Sequence, residues 1–300
     1  MTGYCHIDGI DIYTEFGVFI ESGYDGLLSF PALKEPDKND WPEEHGIEVD
    51  LTEPRLQTQE ITIDFAFVRG FSWHPFYYFL TTSGKRTIEI PGLKRSWLLR
   101  VVEMPKLENY DGADIFSVKF VEDTPVIPVD YPTANARGLL TSVLLLDGKT
   151  WDKYGIIVTD GLDDLERAPQ LKKALARTNS KMNGQLYDED FVRYAEKEVT
   201  FRCCFNAVQM TDFWDLYNAF FGDLLKPGLR KIGYKGKQYD AFYKKTANWQ
   251  LHSHSGPVVC EFELTMCFTT FVINNEIYLL ASEDGELIIT EDGFCIDLKY

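Results

Sequence analysis

Residues 7–28 read IDGIDIYTEFGVFIESGYDGLL, and residues 146–165 read LDGKTWDKYGIIVTDGLDDL. Asp8-Gly9 and Asp147-Gly148 lie 139 residues apart. After one residue drops out, the spacing settles at 138 and holds: Phe16-Gly17-Val18 faces Tyr154-Gly155-Ile156, and Gly23 faces Gly161. Leu27, Pro31, Leu33 and Lys34 then face Leu165, Pro169, Leu171 and Lys172, and EITIDFAF (60–67) faces EVTFRCCF (198–205). A spacing that survives a long variable stretch marks an internal duplication. Its period is far beyond the roughly 20–50 residues of solenoid repeats, so each copy is a whole domain.

Four segments follow: a first β unit over 1–128, a linker over 129–142 (its surroundings read PVIPVDYPTANARGLL), a second β unit over 143–272, and a C-terminal arm over 273–300. In each unit the pattern predicts a strand pair (IDIY turning to VFIES; IIVTD) and then a long polar loop at 31–59 or 169–197. An alternating strand comes next, with Ile61, Ile63, Phe65 and Phe67 on one side, and Val199, Phe201, Cys203 and Phe205 in the second copy. A helix follows. In the first copy it starts at Ser72, carries Pro75 in its first turn and stops at Gly84, which pairs with Gly222 at the same spacing. In the second, Thr211 or Asp212 is the expected N-cap, and Phe213, Trp214, Tyr217, Phe220, Phe221 and Leu224 form one broad stripe. The remaining strands complete a mainly β fold: two tandem barrel or sandwich domains, each with one packed helix. In the last segment, Glu-Asp-Gly occurs twice between apolar runs, which predicts a β-hairpin or short meander.

Chemistry is harder to place. Net charge is −17, a balance that repels phosphate and disfavours a nucleic-acid grip. No apolar run reaches the roughly 20 residues of a membrane helix, and MTGYCHIDGID does not read as a secretory signal, so a soluble, cytosolically made protein is expected. The cysteines (Cys5, Cys203, Cys204, Cys260, Cys267, Cys295) show no CxxC pairing and are expected to be buried thiols. His252 and His254 would share a face of a strand and are the weak metal candidates. A third ligand, such as His6, His45, His74 or a carboxylate, is nowhere near in sequence. Asp163-Asp164 and Glu43-Glu44 read as solvated loop charges, and no His/Asp/Glu/Cys set recurs in both copies. Neither a catalytic group nor a cofactor site is expected.

The copies differ most in their long loops. Residues 35–59 carry eight acids, among them Glu35, Asp37, Asp40, Glu43 and Glu44, with Trp41 between them. Residues 169–197 carry six bases, among them Lys172, Lys173, Arg177 and Lys181. This is either drift of solvated loops or charge complementarity, the acidic loop meeting the basic loop of a neighbouring subunit.

A β unit of about 130 residues, with a long loop after the first strand pair and one helix after the next strand, resembles the tail-tube fold of bacteriophages. The opening IDGIDIYTEFGVFIESG is similar to the start of distal-tail proteins, and LASEDGELIITEDG resembles terminal hairpins of Bacteroides-type phage and prophage tail proteins. The resemblance implies a virion structural protein of the distal-tail or baseplate-hub kind, made in the host cytoplasm and carried in the tail. It also implies self-assembly into a trimer with pseudo-sixfold symmetry or a hexameric ring, contacts with tube and baseplate proteins, no membrane, and DNA merely passing through the lumen. The alternatives are a carbohydrate-binding tandem β-sandwich using Trp41, Trp73 or Trp249 as stacking platforms, and a hydrolase with a site between the domains.

Overall fold

The computed structural model describes residues 3–269 except 68–69, 71, 83, 111–112, 137–140, 173–175, 182 and 188–191. The expected C-terminal hairpin over 273–300, Cys295 and Lys173 lie outside the described residues. The first copy runs β1 (His6–Ile7), β2 (Ile10–Asp11), α1 (Ile12–Phe16), β3 (Val18–Ser22), β4 (Lys38–Asn39), β5 (Glu48–Val49), β6 (Gln59–Phe67), α2 (Trp73–Thr81), β7 (Arg86–Ile90), β8 (Arg95–Tyr110) and β9 (Ala113–Glu122). The second runs β10 (Leu145–Leu146), β11 (Lys149–Thr150), β12 (Ile156–Asp160), α3 (Leu162–Glu166), β13 (Ala176–Thr178), β14 (Gln185–Tyr187), β15 (Lys197–Ala207), α4 (Met210–Leu224), β16 (Arg230–Tyr234), β17 (Lys237–Ser253) and β18 (Val258–Phe268).

Two seven-stranded antiparallel sheets result, ordered β2-β1-β7-β8-β9-β6-β3 and β11-β10-β16-β17-β18-β15-β12. Strand for strand the orders are the same. The alternation of β6 and β15 explains their central role: Ile61, Ile63 and Phe65, like Val199, Phe201, Cys203 and Phe205, are at most 2% exposed.

The repeated glycines and acids hold backbone geometry. Asp8 and Gly9 have φ of 52° and 79°, and Asp147 and Gly148 have 48° and 85°, the two left-handed residues of a primed hairpin turn. Each aspartate also reaches the neighbouring strand. Asp8 accepts the Thr87 N–H at 2.8 Å and Arg86 Nη1 at 2.7 Å; Asp147 accepts the Lys231 N–H at 2.9 Å and Arg230 Nη1 at 3.0 Å. Gly23 and Gly161 follow a β-bulge at the end of β3 and β12, with φ of +84° and +96°. A Cβ there would lie 2.3 Å from the Thr62 carbonyl oxygen or 2.4 Å from that of Thr200.

Several local expectations change. Ile12 and Tyr13, the end of the expected strand IDIY, instead open the short helix α1, because Asp11 caps it by accepting the Tyr13 N–H at 3.0 Å and Gly17 ends it at φ 65°. Ser72 caps α2 as expected. α4 starts one residue before Thr211, with Gln209 at the N-cap and no side-chain cap bond. Gly222 lies inside α4, so it is not the partner of Gly84, which falls beyond the end of α2. The true counterpart of Gly84 is Gly228, each lying two residues before the arginine that opens β7 or β16. α4 has 15 residues against nine in α2.

α4 is apolar nearly all round and is buried on two sides. One side covers its own sheet through Phe213 and Phe220 against Phe205. The other meets the first copy, so the buried side chains of both units form one continuous cluster.

Candidate interaction surface

Between the copies a short stem, Leu28–Leu33, enters a cleft formed by α4 and β17. The phenyl ring of Phe30 stacks on Phe221 with centroids 4.1 Å apart and planes 3° from parallel. Aromatic stacking of this kind adds about 0.5–1.5 kcal/mol beyond area burial. The polar atoms of the stem are also satisfied. Tyr217 Oη donates to the Leu28 carbonyl at 3.0 Å, and Tyr243 Oη reaches the Pro31 carbonyl at 2.9 Å. Thr246 Oγ1 accepts the Phe30 N–H at 3.1 Å, and the Leu33 N–H donates to the Lys244 carbonyl at 2.9 Å. Lys244 can offer that carbonyl because it sits at a register break in β17, between Tyr243 and Lys245. Burial raises the Tyr217 and Tyr243 phenols far above the ordinary tyrosine range, so both remain donors at any physiological pH.

Further along the contact, Trp214 Nε1 donates to the Leu93 carbonyl at 2.7 Å, and the Arg95 guanidinium lies 4.3 Å from the Trp214 ring centroid. That cation–π contact contributes about 0.5–2 kcal/mol. Trp214 is thus held by backbone, charge and ring at once.

The long loops are not simple coil. Each carries a two-stranded hairpin (β4/β5 and β13/β14) above a one-bridge stem, Leu33 with Leu56 and Leu171 with Tyr194. The acidic arm lies across the stem of the basic one. Lys172 Nζ sits 2.5 Å from Asp40 Oδ1 and donates to the Trp41 carbonyl at 2.8 Å. Arg193 Nε donates to the Glu43 carbonyl at 2.6 Å, and the Gly46 N–H donates to the Tyr194 carbonyl at 2.7 Å. One ion pair of the kind expected across a subunit boundary, Lys172–Asp40, is made here inside one chain. The reason is reach: the stem docked at Lys244 delivers the arm directly onto its neighbouring unit.

No protein-family model matches the chain, and no curated protein matches it. Among solved structures, the crystal structure of the phage SPP1 Dit protein (gp 19.1) is similar, with TM-score 0.32 and 9% identity. That structure is described as a paradigm of the hub adsorption apparatus in phages infecting Gram-positive bacteria, and the match covers 88% of this chain and 97% of that one. So loose a likeness transfers no residue and no assembly to the present chain.

The remaining singled-out residues are scattered. Glu35 pairs with Lys38 at 3.0 Å, which raises the lysine and lowers the carboxyl. The Asp37 carbonyl accepts the Asp50 N–H at 2.9 Å, and the Glu44 N–H closes a turn on the Trp41 carbonyl at 3.2 Å. Arg177 is opposite Leu186 in the second hairpin, and the Lys181 N–H donates to Asn179 Oδ1 at 3.1 Å in its turn. His252 and His254 do not converge. His252 is the extra residue at the third register break of β17 and lies 3.5 Å from Glu261, while the His254 ring lies beside Gly92. Among the described residues no group of three or more His, Cys, Asp or Glu could hold a metal ion. Trp249, expected as an exposed platform, is 8% exposed and stacked on Phe262, whereas Trp41 is 49% exposed.

The five described cysteines are unpaired, and all but Cys204 are buried. Burial pushes the Cys267 thiol up to about 12, which leaves it protonated and unreactive at neutral pH. Cys267 lines a pocket of about 200 Å³ with Glu198, Lys244 and Lys245 beside the inserted stem. A groove of about 440 Å³ runs between linker residues Pro132–Ala136 and the start of α4, with Asp212 and Asp215 at its wall.

The stem and its cleft were invisible to pattern reading, since Phe30 and Tyr243 carry no motif. One signal was present. The α4 sequence is aromatic on more than one face, as a helix buried on two sides must be.

Proposed function

We propose that the chain is a structural subunit of a bacteriophage or prophage tail, of the distal-tail or baseplate-hub kind. In this reading copies of the chain assemble into a ring, as a trimer with pseudo-sixfold symmetry or a hexamer, that joins the tail tube to the baseplate. DNA passes through the lumen without being gripped, and the subunit turns over no substrate. The subunit is made in the host cytoplasm and ends in the virion tail.

One observation carries the reading: the chain consists of two copies of one sheet topology, joined by an interface that uses a different surface on each copy. A head-to-tail contact of that kind builds rings when its rotation closes. The resemblance of the opening motif to distal-tail proteins supports that location for the ring. The test is native mass spectrometry with negative-stain imaging of the purified chain. A three- or six-membered ring with a central pore is expected; a monomer at all concentrations, without a pore, overturns the reading.

A further inference from the structure

Because the fold occurs twice, each half of the internal interface also occurs twice. The inserted stem Leu28–Leu33 has its counterpart in Glu166–Leu171, 138 residues on. The receiving cleft can be matched through strand register. Arg86 pairs with Leu99 as Arg230 pairs with Ala241, so the Lys244 position of β17 falls on Val102 of β8. Val102 indeed sits at the same register break, between Val101 and Glu103. The helices match at their C-terminal ends: Phe76 lies 5.5 Å from Phe16 as Phe220 lies 5.4 Å from Tyr154. On that alignment Tyr217 and Phe221 correspond to Trp73 and Tyr77.

Exposure separates the used half from the unused. Leu33 is 6% exposed, whereas Leu171 is 61% exposed. Tyr243 is 1% exposed and Phe221 fully buried, while their counterparts Val101 and Tyr77 are only half-buried, and Val102 is 43% exposed. The backbone geometry of both unused halves is nonetheless kept, although Ala168 stands where Phe30 does, so the second stem brings no ring. Leu171 is bridged to Tyr194 as Leu33 is to Leu56, so the second stem is already shaped for insertion and loses little freedom on docking. On the other side, β7 pairs with β8 only up to Leu99, leaving residues 100–103 as a strand edge on that flank among the described residues. An open edge beside half-buried aromatic rings favours an added segment that brings both an N–H and an apolar side chain.

We infer that the stem Glu166–Leu171 docks on the α2/β8 face of a second copy of this chain, repeating between chains the contact made within it. The inference deepens the assembly reading above and rests on it. Leu171 takes the place of Leu33, the bulge at Val102 that of Lys244, and Trp73 that of Tyr217. The two surfaces differ, so every copy offers one of each, and only a closed ring leaves none unmatched.

Two chains test it, each with one cysteine added to the native set, one carrying Leu171→Cys and the other Val102→Cys. Mixed under mild oxidation, they are expected to give a disulfide-linked pair of chains that neither forms alone. Leu171→Asp, at an exposed position the fold tolerates, is expected to abolish assembly while leaving the thermal unfolding of the single chain unchanged. If the wild type assembles, yet no cross-link forms and Leu171→Asp assembles normally, this surface is wrong and the assembly reading survives. If the wild type never assembles, both fall.

Discussion

The ammonium group of Lys172 lies 2.5 Å from Asp40 Oδ1, with the lysine side chain 6% exposed and the aspartate 59% exposed. Most of the energetic weight of the pair therefore belongs to the buried partner. Lys172→Met keeps the apolar stem but loses the ion pair and the bond to the Trp41 carbonyl, at an expected cost of about 1–3 kcal/mol. Asp40→Asn, at the exposed end, should cost less than about 1 kcal/mol. Urea midpoints and limited proteolysis of the acidic arm check both. Equal stability and unchanged cleavage in Lys172→Met would show that the arm is held by something else.

Phe30 couples the two copies more strongly than any charge. Truncation by Phe30→Ala removes a ring stacked on Phe221 and leaves a cavity at the joint, for an expected loss of about 3–5 kcal/mol. The loss falls on the contact between units and spares each sheet, so calorimetry should resolve two transitions where the wild type shows one. A single transition at the wild-type temperature refutes this coupling.

Gly23→Ala and Gly161→Ala form a matched pair. Each places a Cβ within 2.4 Å of a strand carbonyl oxygen, in a left-handed backbone conformation. Both should cost about 2 kcal/mol or more, and by similar amounts. Denaturant midpoints that differ greatly between the two variants would break the equivalence of the bulges they follow.

Asp223 governs the acid limit. Burial opposes its ionisation, but hydrogen bonds from Lys226, Tyr154 and Tyr131 outweigh that and hold the carboxyl at about 2. The folded value lies below the unfolded one, near 3.9, so the stabilisation is fully present above about pH 4 and is lost as pH falls toward 2. Its ceiling is about 2 kcal/mol. Asp223→Asn should flatten the stability profile over that interval and lower stability at neutral pH. A wild-type slope retained in the variant assigns the acid sensitivity elsewhere.

Legibility in the sequence tracked the range of the forces involved. Turn glycines and the alternation of β6 and β15 act over a few residues, so the duplication and the strand framework could be read directly. The end of α2 could not be registered against α4, because six extra helical residues shift the spacing from 138 to 144 and leave Gly84 and Gly222 falsely aligned. Gly222 has a different task. A Cβ there would lie 2.1 Å from Tyr131, whose ring crosses the helix where the linker returns to Asp223. The opposite charges of the arms are plain in the sequence, but their destination depends on the Leu33–Lys244 bond, which joins residues more than 200 positions apart. No local pattern encodes such a contact. His252 and His254 failed for a related reason, since a bulge interrupts the alternation that would have aligned them.

Covalent joining gives the stem in the α4–β17 cleft a property its exposed counterpart lacks. A tethered partner is present at an effective concentration of order millimolar, whatever the concentration of the protein. Dilution therefore cannot empty the internal cleft, whereas any contact made through Leu171 obeys mass action. Half of the joints in such an assembly would be permanent and half reversible, and its smallest stable piece would be the whole chain.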